Sequence, residues 1–128
     1  MSIKRYAGPV TGVGGQTMPF ARATEAGGFL YISGQTPMRD GEVVPGGIEV
    51  QTRQTFANLQ AILDEAGYTF DDVVKVNAWL DDTRDFAGFN RVFKEYFDGR
   101  PPARSTVHSA LMVDGKVEID LIAYREPK

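Results

Sequence analysis

The sequence predicts an α+β domain in which two helices pack on one face of a single β-sheet. Two segments carry apolar side chains at the three-to-four spacing of a helix, and the segments around them have the alternation and turn residues typical of strands. The predicted order of elements is β-β-α-β-α-β-β. A length of 128 residues suits one compact unit, so we expect residues 1–128 to form a single domain.

The composition excludes several classes of protein. The chain has no cysteine, which excludes disulfides, thiolate catalysis and zinc–thiolate sites. Its net charge is −3 and its basic residues form no arm or stripe, so we expect no nucleic-acid partner. The N-terminus lacks the apolar run of a signal peptide, and no stretch approaches the roughly 18 apolar residues of a membrane span. We therefore expect a cytoplasmic protein without a membrane partner.

The first third of the chain is predicted to hold one hairpin between two loops. Residues 8–20 are rich in Gly, Pro and Thr, and their glycines match no phosphate-binding spacing. Residues 21–35 predict two short strands around a turn at Gly27 and Gly28. Residues 36–47 are again rich in turn residues and predict a loop.

Two helices follow, with a strand between them. Residues 48–67 predict a helix that ends at the cap residue Gly67 and whose apolar face is formed by Phe56, Leu59, Ile62, Leu63 and Ala66. Residues 73–80 alternate as a strand, with one side formed by Val74, Val76, Ala78 and Leu80. Residues 83–99 predict a helix with an aromatic stripe, which is typical of a core rather than of a cofactor site: Phe86, Phe89, Phe93, Tyr96 and Phe97.

The last two strands, 103–112 and 116–125, are expected to form an antiparallel hairpin. A two-residue turn at Asp114 and Gly115 would mix apolar and charged side chains on each face, whereas a three-residue loop over 113–115 separates them. In the second register the apolar face carries Val107, Leu111, Val117, Ile119, Leu121 and Ala123. The polar face carries Arg104, Thr106, His108, Glu118, Asp120 and Tyr124.

This register separates the two charged residues that look most suited to chemistry. Arg104 and Glu118 would lie about 20 Å apart along the hairpin, at about 3.3 Å per residue. A site that used both side chains would then need the glutamate of a neighbouring subunit. The pattern thus predicts a site in a cleft between subunits.

Four segments resemble a known family. The segment "PPARSTVHSALMVDGKVEIDLIA" is similar to the signature of the YjgF/YER057c/UK114 family, also called the Rid family (reactive intermediate deaminases). The resemblance extends over "YISGQTP", "QTRQTFANLQAILDEAG" and "FNRVFKEYF", and so over nearly the whole chain. It implies a chorismate-mutase-like fold and a homotrimer with sheets inward, helices outward and three clefts between subunits. It also implies hydrolysis of 2-imino acids and enamines, such as 2-aminoacrylate and 2-iminopropanoate, to 2-keto acids and ammonia without a cofactor.

The resemblance also implies roles for two charged residues. Arg104 matches the family arginine that binds the substrate carboxylate, for which a planar fork of donors is suited. Glu118 matches the family glutamate near the attacking water, where it would accept a proton or stabilise the iminium. We expect no metal site, because one histidine and scattered carboxylates form no ligand cluster.

Five further residues match positions that line the family cleft. Asn90 matches a pocket asparagine, and Ser33 with Gly34 matches the "SGQ" segment. Phe20 stands where the family often has tyrosine, and Thr106 where it often has cysteine. Both departures bear on the substrate more than on the fold.

Several alternatives to a small-substrate deaminase stay open at this point. The chain could be a ligand-binding or regulatory trimer without catalysis, which the Phe20 and Thr106 departures favour, or a deaminase of a larger enamine. Ribonuclease activity, a label often attached to the family, is disfavoured by the acidic chain and its single histidine. That histidine, His108, is expected to make an interface hydrogen bond rather than to act as an acid or base.

Overall fold

A computed structural model of the chain describes residues 2–7 and 10–127, so Gly8 and Pro9 of the predicted first loop lie outside the described residues. Two α-helices are present, α1 at Ile48–Ala66 and α2 at Phe86–Tyr96. The strands are β1 at Lys4–Tyr6, β2 at Ala23–Ala26, β3 at Phe29–Gln35, β4 at Met38–Arg39, β5 at Glu42–Val43, β6 at Val73–Leu80, β7 at Ala103–His108 and β8 at Val117–Tyr124. Single turns of 3₁₀-helix lie at Val13–Gly15, Phe70–Asp72 and Thr83–Asp85.

Six strands form one sheet in the order β1-β2-β3-β8-β6-β7, and β4 and β5 form a small separate ribbon. All neighbours in the large sheet are antiparallel except β6 and β7, which are parallel. The predicted hairpin of β2 and β3 is confirmed, with Gly27 at φ 58° and Gly28 at φ 90° in its turn. Three strands were not predicted: β1, and the β4 and β5 ribbon in a segment expected to be loop.

The predicted hairpin of the last two strands is wrong. β7 and β8 do not pair with each other, because β6 lies between them and pairs with both. The segment from β6 through α2 to β7 is a strand–helix–strand crossover, which joins parallel neighbours. The sequence carried this signal, since a predicted helix stood between two predicted strands.

The new pairing reverses the faces assigned to β7. Arg104 is in register with the buried Val76, and Thr106 with the buried Ala78, so both point to the side that the helices cover. Val107 instead lies on the helix-free face, where it is 48% exposed. The alternation predicted for β8 is confirmed, because its apolar residues are buried under the helices: Val117, Ile119, Leu121 and Ala123.

The core fills the space between the sheet and the two helices. On α1 the predicted apolar face is buried at Phe56, Leu59, Ile62 and Leu63. Gly67 ends this helix at φ 83°, where its N–H donates to the carbonyls of Leu63 and Asp64. The prediction of this helix is confirmed.

The second helix is shorter than the predicted 83–99, because residues 83–85 form a 3₁₀ turn and the α-helix ends at Tyr96. This helix and the strand before it each expose one residue of the apolar side that was predicted. Phe89, Phe93 and Phe97 are buried, but Phe86 is 45% exposed at the start of α2 and stays outside the core. In β6, Val74 is exposed because a register shift between Val73 and Lys75 turns it away from the helices.

The face of the sheet opposite the helices has no covering layer among the described residues. Its exposed apolar side chains include Phe29, Tyr31 and Val107. Glu118 and Asp120 lie on the same face, half-buried between neighbouring strands. No helix in the described part of the chain is both long enough and apolar enough to span a membrane.

Phe56 is the test residue for this core. It is fully buried, and its ring lies 4.3 Å from that of Tyr96 and 5.8 Å from that of Phe93, measured between centroids. Phe56→Ala is expected to lower the free energy of unfolding by about 3–5 kcal/mol, through lost burial and the cavity left behind. Val50→Ala on the exposed side of the same helix should change it by less than about 0.5 kcal/mol. Urea unfolding at one protein concentration measures both, and equal losses would contradict the assigned packing.

Candidate active site

Arg104 lies on the edge strand β7 and packs over an aromatic platform, which consists of Phe86, Phe89 and Phe93 of α2. Its guanidinium carbon is 5.7 Å, 5.3 Å and 4.7 Å from the three ring centroids, in that order. Rings at this distance attract a cation through their negative faces. The crossover from β6 to β7 therefore holds the guanidinium in place by stacking rather than by a carboxylate.

Arg104 has no anionic partner among the described residues. Within the described part of the chain the Arg104 side chain donates no hydrogen bond and forms no ion pair, whereas half-buried Arg22 binds Glu65 with two hydrogen bonds of 2.7 Å and 2.9 Å. Burial lowers the pKa of Arg104, but a guanidinium remains charged at any physiological pH. A half-buried arginine without an ionic partner has free N–H donors and is suited to bind an anion.

The arginine half-site, which consists of Asn90, Phe93 and Arg104, opens into a cleft of about 500 Å³. Pro101 and Pro102 form another wall of this cleft, where the chain enters β7. The structure therefore brings Asn90 and Arg104 to the same cleft.

Thr106 lies apart from this cleft. Its hydroxyl oxygen is inaccessible to solvent and has no hydrogen-bond partner among the described residues. It lines a separate cleft of about 240 Å³ with Phe86 and His108. His108 is exposed at the end of β7, on the helix side rather than on the predicted polar face.

Glu118 belongs to a second group of residues, on the helix-free face of the sheet. It lies on β8 in register with Trp79, beside a bulge in β3 where Ser33 and Gly34 stand opposite one residue of β8. A Cβ atom on Gly34 would overlap Oε2 of Glu118. Glycine at this position therefore lets the carboxylate lie directly against the backbone of β3.

Ser33 fixes the bulge to the preceding segment of the chain. Its hydroxyl donates to the carbonyl of Ala21 at 2.7 Å, and its N–H donates to the carbonyl of Arg22 at 2.9 Å. The predicted cleft residue thus has its hydroxyl proton in use within the subunit. Its observed contacts position Gly34.

The electrostatics of Glu118 differ from those of a surface glutamate. Burial, and then the negative charge of Asp120, raise the pKa of Glu118. Burial also raises the pKa of Asp120, against a hydrogen bond of 2.9 Å from the Asn77 amide. Among the described residues Glu118 has no cationic partner, so it is a carboxylate suited to accept a proton.

The glutamate half-site, which consists of Phe20, Gly34 and Glu118, lines a cleft of about 270 Å³. It lies on the opposite face of the sheet from the arginine half-site. Arg104 is in register with Val76, which is buried under the helices, whereas Glu118 is in register with Trp79, which points to the helix-free face. The structure does not bring Arg104 and Glu118 together within one chain.

Comparison with known proteins identifies the family. Residues 15–125 match the family described as Endoribonuclease L-PSP. A RutC family protein from Pyrococcus horikoshii is 48% identical over 111 residues, which cover 84% of this chain and 88% of that protein. The chain belongs to the Rid family. A mouse member of the Rid family, named 2-iminobutanoate/2-iminopropanoate deaminase, is 38% identical over 112 residues, which cover 85% of this chain and 83% of the relative.

Solved Rid-family structures have the same fold. RidA from an Antarctic Psychrobacter is 34% identical, superimposes with a TM-score of 0.81, and covers 98% of this chain and 99% of its own. Yeast Mmf1 is 31% identical with a TM-score of 0.88, over 98% of this chain and all of its own. The α+β class and the family resemblance predicted from sequence are confirmed.

The residues that hold the two charged groups in place were not predicted from the sequence. The aromatic platform was predicted as core, which holds for Phe89 and Phe93, but Phe86 is 45% exposed and all three rings lie beneath Arg104. Recognition of the strand–helix–strand crossover would have placed α2 beside β7 and revealed this stacking. The close approach of Gly34 to Glu118 had no signal in a single sequence, because it depends on the bulge in β3.

Gly34→Ala tests the contact with Glu118. The added methyl group is expected to cost about 1 kcal/mol of stability, because the carboxylate, at the end of a flexible side chain, must move aside. The cost should fall to less than half in a Glu118→Ala background, since the overlapping group is then gone. Urea unfolding of the four variants of this cycle measures the coupling.

Gly47→Ala serves as the control for Gly34→Ala, since a Cβ there has no atom within 4 Å. Its effect should not depend on Glu118. An equal cost for Gly34→Ala in both backgrounds would contradict the contact.

Proposed function

We propose that this Rid-family protein hydrolyses 2-imino acids and their enamine tautomers to 2-keto acids and ammonia. The observation that carries the proposal is Arg104, a half-buried cation without a carboxylate partner among the described residues, beside an open cleft. A substrate carboxylate would supply the missing anion and accept two parallel hydrogen bonds from the guanidinium. The name of the mouse relative, at 38% identity, supports the same class of substrate.

The proposed enzyme is a homotrimer in which each cleft uses two chains. The helix-free sheet face supports this assembly, because its apolar side chains, including Phe29, Tyr31 and Val107, are exposed in the single subunit. The charges of the half-sites support it as well: Arg104 lacks an anion and Glu118 lacks a cation within the described chain. Association that brings the arginine half-site of one subunit against the glutamate half-site of the next would complete both.

The proposed reaction asks for orientation and proton transfer. Arg104 would hold the carboxylate and thereby fix the imine carbon in the cleft. Glu118 would accept a proton from water as the water oxygen attacks the protonated imine, which gives a carbinolamine. Return of that proton to nitrogen makes ammonia the leaving group; the C–N bond then breaks while the carbinolamine hydroxyl gives its proton to Glu118, so that the carbonyl forms. The burial that raises the pKa of Glu118 makes it a stronger base than an exposed glutamate.

A ligand-binding trimer without catalysis is the second candidate. It is favoured by Phe20, which lines the glutamate half-site with a ring that has no hydroxyl to order water. A third candidate, a deaminase that acts on a larger enamine, is supported by the same residue, Phe20. RNA cleavage, which the family description names, is disfavoured by the net charge of −3 and by the single histidine.

Replacement of Arg104 tests the anchor. Arg104→Ala is expected to lower kcat/KM at least about 100-fold, because a bidentate charged contact contributes on the order of 3 kcal/mol. Imines are generated from amino acids by an amino-acid oxidase, and semicarbazide traps what remains. Arg84→Ala is the control, since the Arg84 side chain is 87% exposed and pairs with Asp82. Full activity of Arg104→Ala in an intact trimer would refute the assignment.

Mixing of two inactive variants tests whether the cleft is shared. Arg104→Ala and Glu118→Gln are denatured together in equal amounts and refolded. If each cleft combines one residue from each of two neighbours, about one quarter of the clefts regain both side chains and activity returns to about 25% of wild type. Activity no higher than that of the separate variants would show that both residues act within one chain.

A further inference from the structure

The cleft of the glutamate half-site has a wall of apolar side chains. This apolar wall consists of Met18, Phe20, Met38 and Met112, which all line the same cleft of about 270 Å³ as Glu118. Phe20 is 47% exposed and Met112 is 96% exposed, so both offer their surface to a bound molecule. Methionine side chains adapt to apolar ligands of different shape.

The side-chain amides in this cleft are paired with the protein itself. The Asn58 amide donates to the carbonyls of Thr36 and Met38 at 3.0 Å each, and its oxygen accepts from Gln54 at 3.0 Å. The Gln35 amide donates to the carbonyl of Ser33, also at 3.0 Å. The Asn58 amide is thus already paired within the protein, and the Gln35 amide has one acceptor there.

Charge is confined to one point of the cleft. Among the described residues that line it, Glu118 alone carries a charge. A second carboxylate on a ligand side chain would meet no cation there and would be repelled by Glu118. The surroundings thus suit an uncharged side chain.

We infer that the site selects 2-imino acids with an extended, uncharged apolar side chain, such as those derived from leucine and methionine, over the alanine-derived imine. The inference rests on the proposed function, in which Arg104 of a neighbouring subunit holds the carboxylate. With that end fixed and the imine carbon beside Glu118, the side chain extends to the apolar wall. Phe20 is the specificity-determining residue, since its half-exposed ring is the aromatic side chain among the residues of the apolar wall.

Binding of stable 2-keto acids tests the selectivity without catalysis. Calorimetry compares pyruvate, 4-methyl-2-oxopentanoate and 2-oxoglutarate on the wild-type protein. The branched acid is expected to bind at least about tenfold more tightly than pyruvate, because even one added methylene in an apolar pocket is worth about that factor. The diacid is expected to bind more weakly than pyruvate. Equal or tighter binding of pyruvate relative to the branched acid would overturn the inference.

Phe20→Ala assigns the preference to the wall. The ratio of the two affinities, branched acid to pyruvate, should fall toward one, whereas Val13→Ala, at an exposed residue outside this cleft, should keep the wild-type ratio. An unchanged ratio in Phe20→Ala would overturn the role of that residue.

Imine hydrolysis of the same series separates the two proposals. Hydrolysis of the leucine-derived imine with kcat/KM at least about tenfold above that of the alanine-derived imine would support both. Selective keto-acid binding without any hydrolysis would refute the deaminase and uphold the selectivity. Hydrolysis that favours the alanine-derived imine would uphold the deaminase and overturn the selectivity.

Discussion

The parallel pairing of β6 with β7 is the constraint on which the rest of the candidate site depends. A parallel neighbour requires a crossover, and α2 provides it within the stretch between the two strands. The crossover returns the chain to the edge of the sheet with α2 lying against it. Arg104 is thereby placed above the aromatic rings of that helix, and β8 is left to the middle of the sheet with Glu118 on the opposite face.

This arrangement explains how the protein keeps two half-buried charges without local partners. Stacking on aromatic rings attracts the guanidinium but leaves its hydrogen-bond donors free. Glu118 is only half-buried, and the cost of removing its carboxylate from water is what raises its pKa. An ion pair within the chain would have satisfied both groups and would have removed them from chemistry. Separation across the sheet keeps them available.

Local pattern in the sequence was sufficient for the helices, the first hairpin and the core side of β8. The spacing of apolar residues determines these features, and the end of α1 could be predicted because Gly67 is a typical C-terminal cap. The predicted pairing of the last two strands was wrong because neighbours in sequence were assumed to be neighbours in the sheet. The alternation of residues in β7 does not decide which of its two sets of side chains faces the helices. The exposure of Val74 and the contact of Gly34 with Glu118 depend on irregularities in β6 and β3, which a pattern of alternating residues does not encode.

The position of β7 at the edge of the sheet has a consequence for contacts between chains. β7 is the last strand of the sheet, so the backbone groups along one of its sides have no neighbouring strand among the described residues. Its side chains on the helix-free face are uncharged: Ala103, Ser105 and Val107. Edges of this kind template strand addition by other chains unless charge, proline or a cover blocks them. Pro101 and Pro102 lie just before the first residue of β7, so they block strand addition at that end and not along the strand. The edge formed by the strand that carries Arg104 is thus open to strand addition by another chain, and an association that covered this edge would remove the exposure.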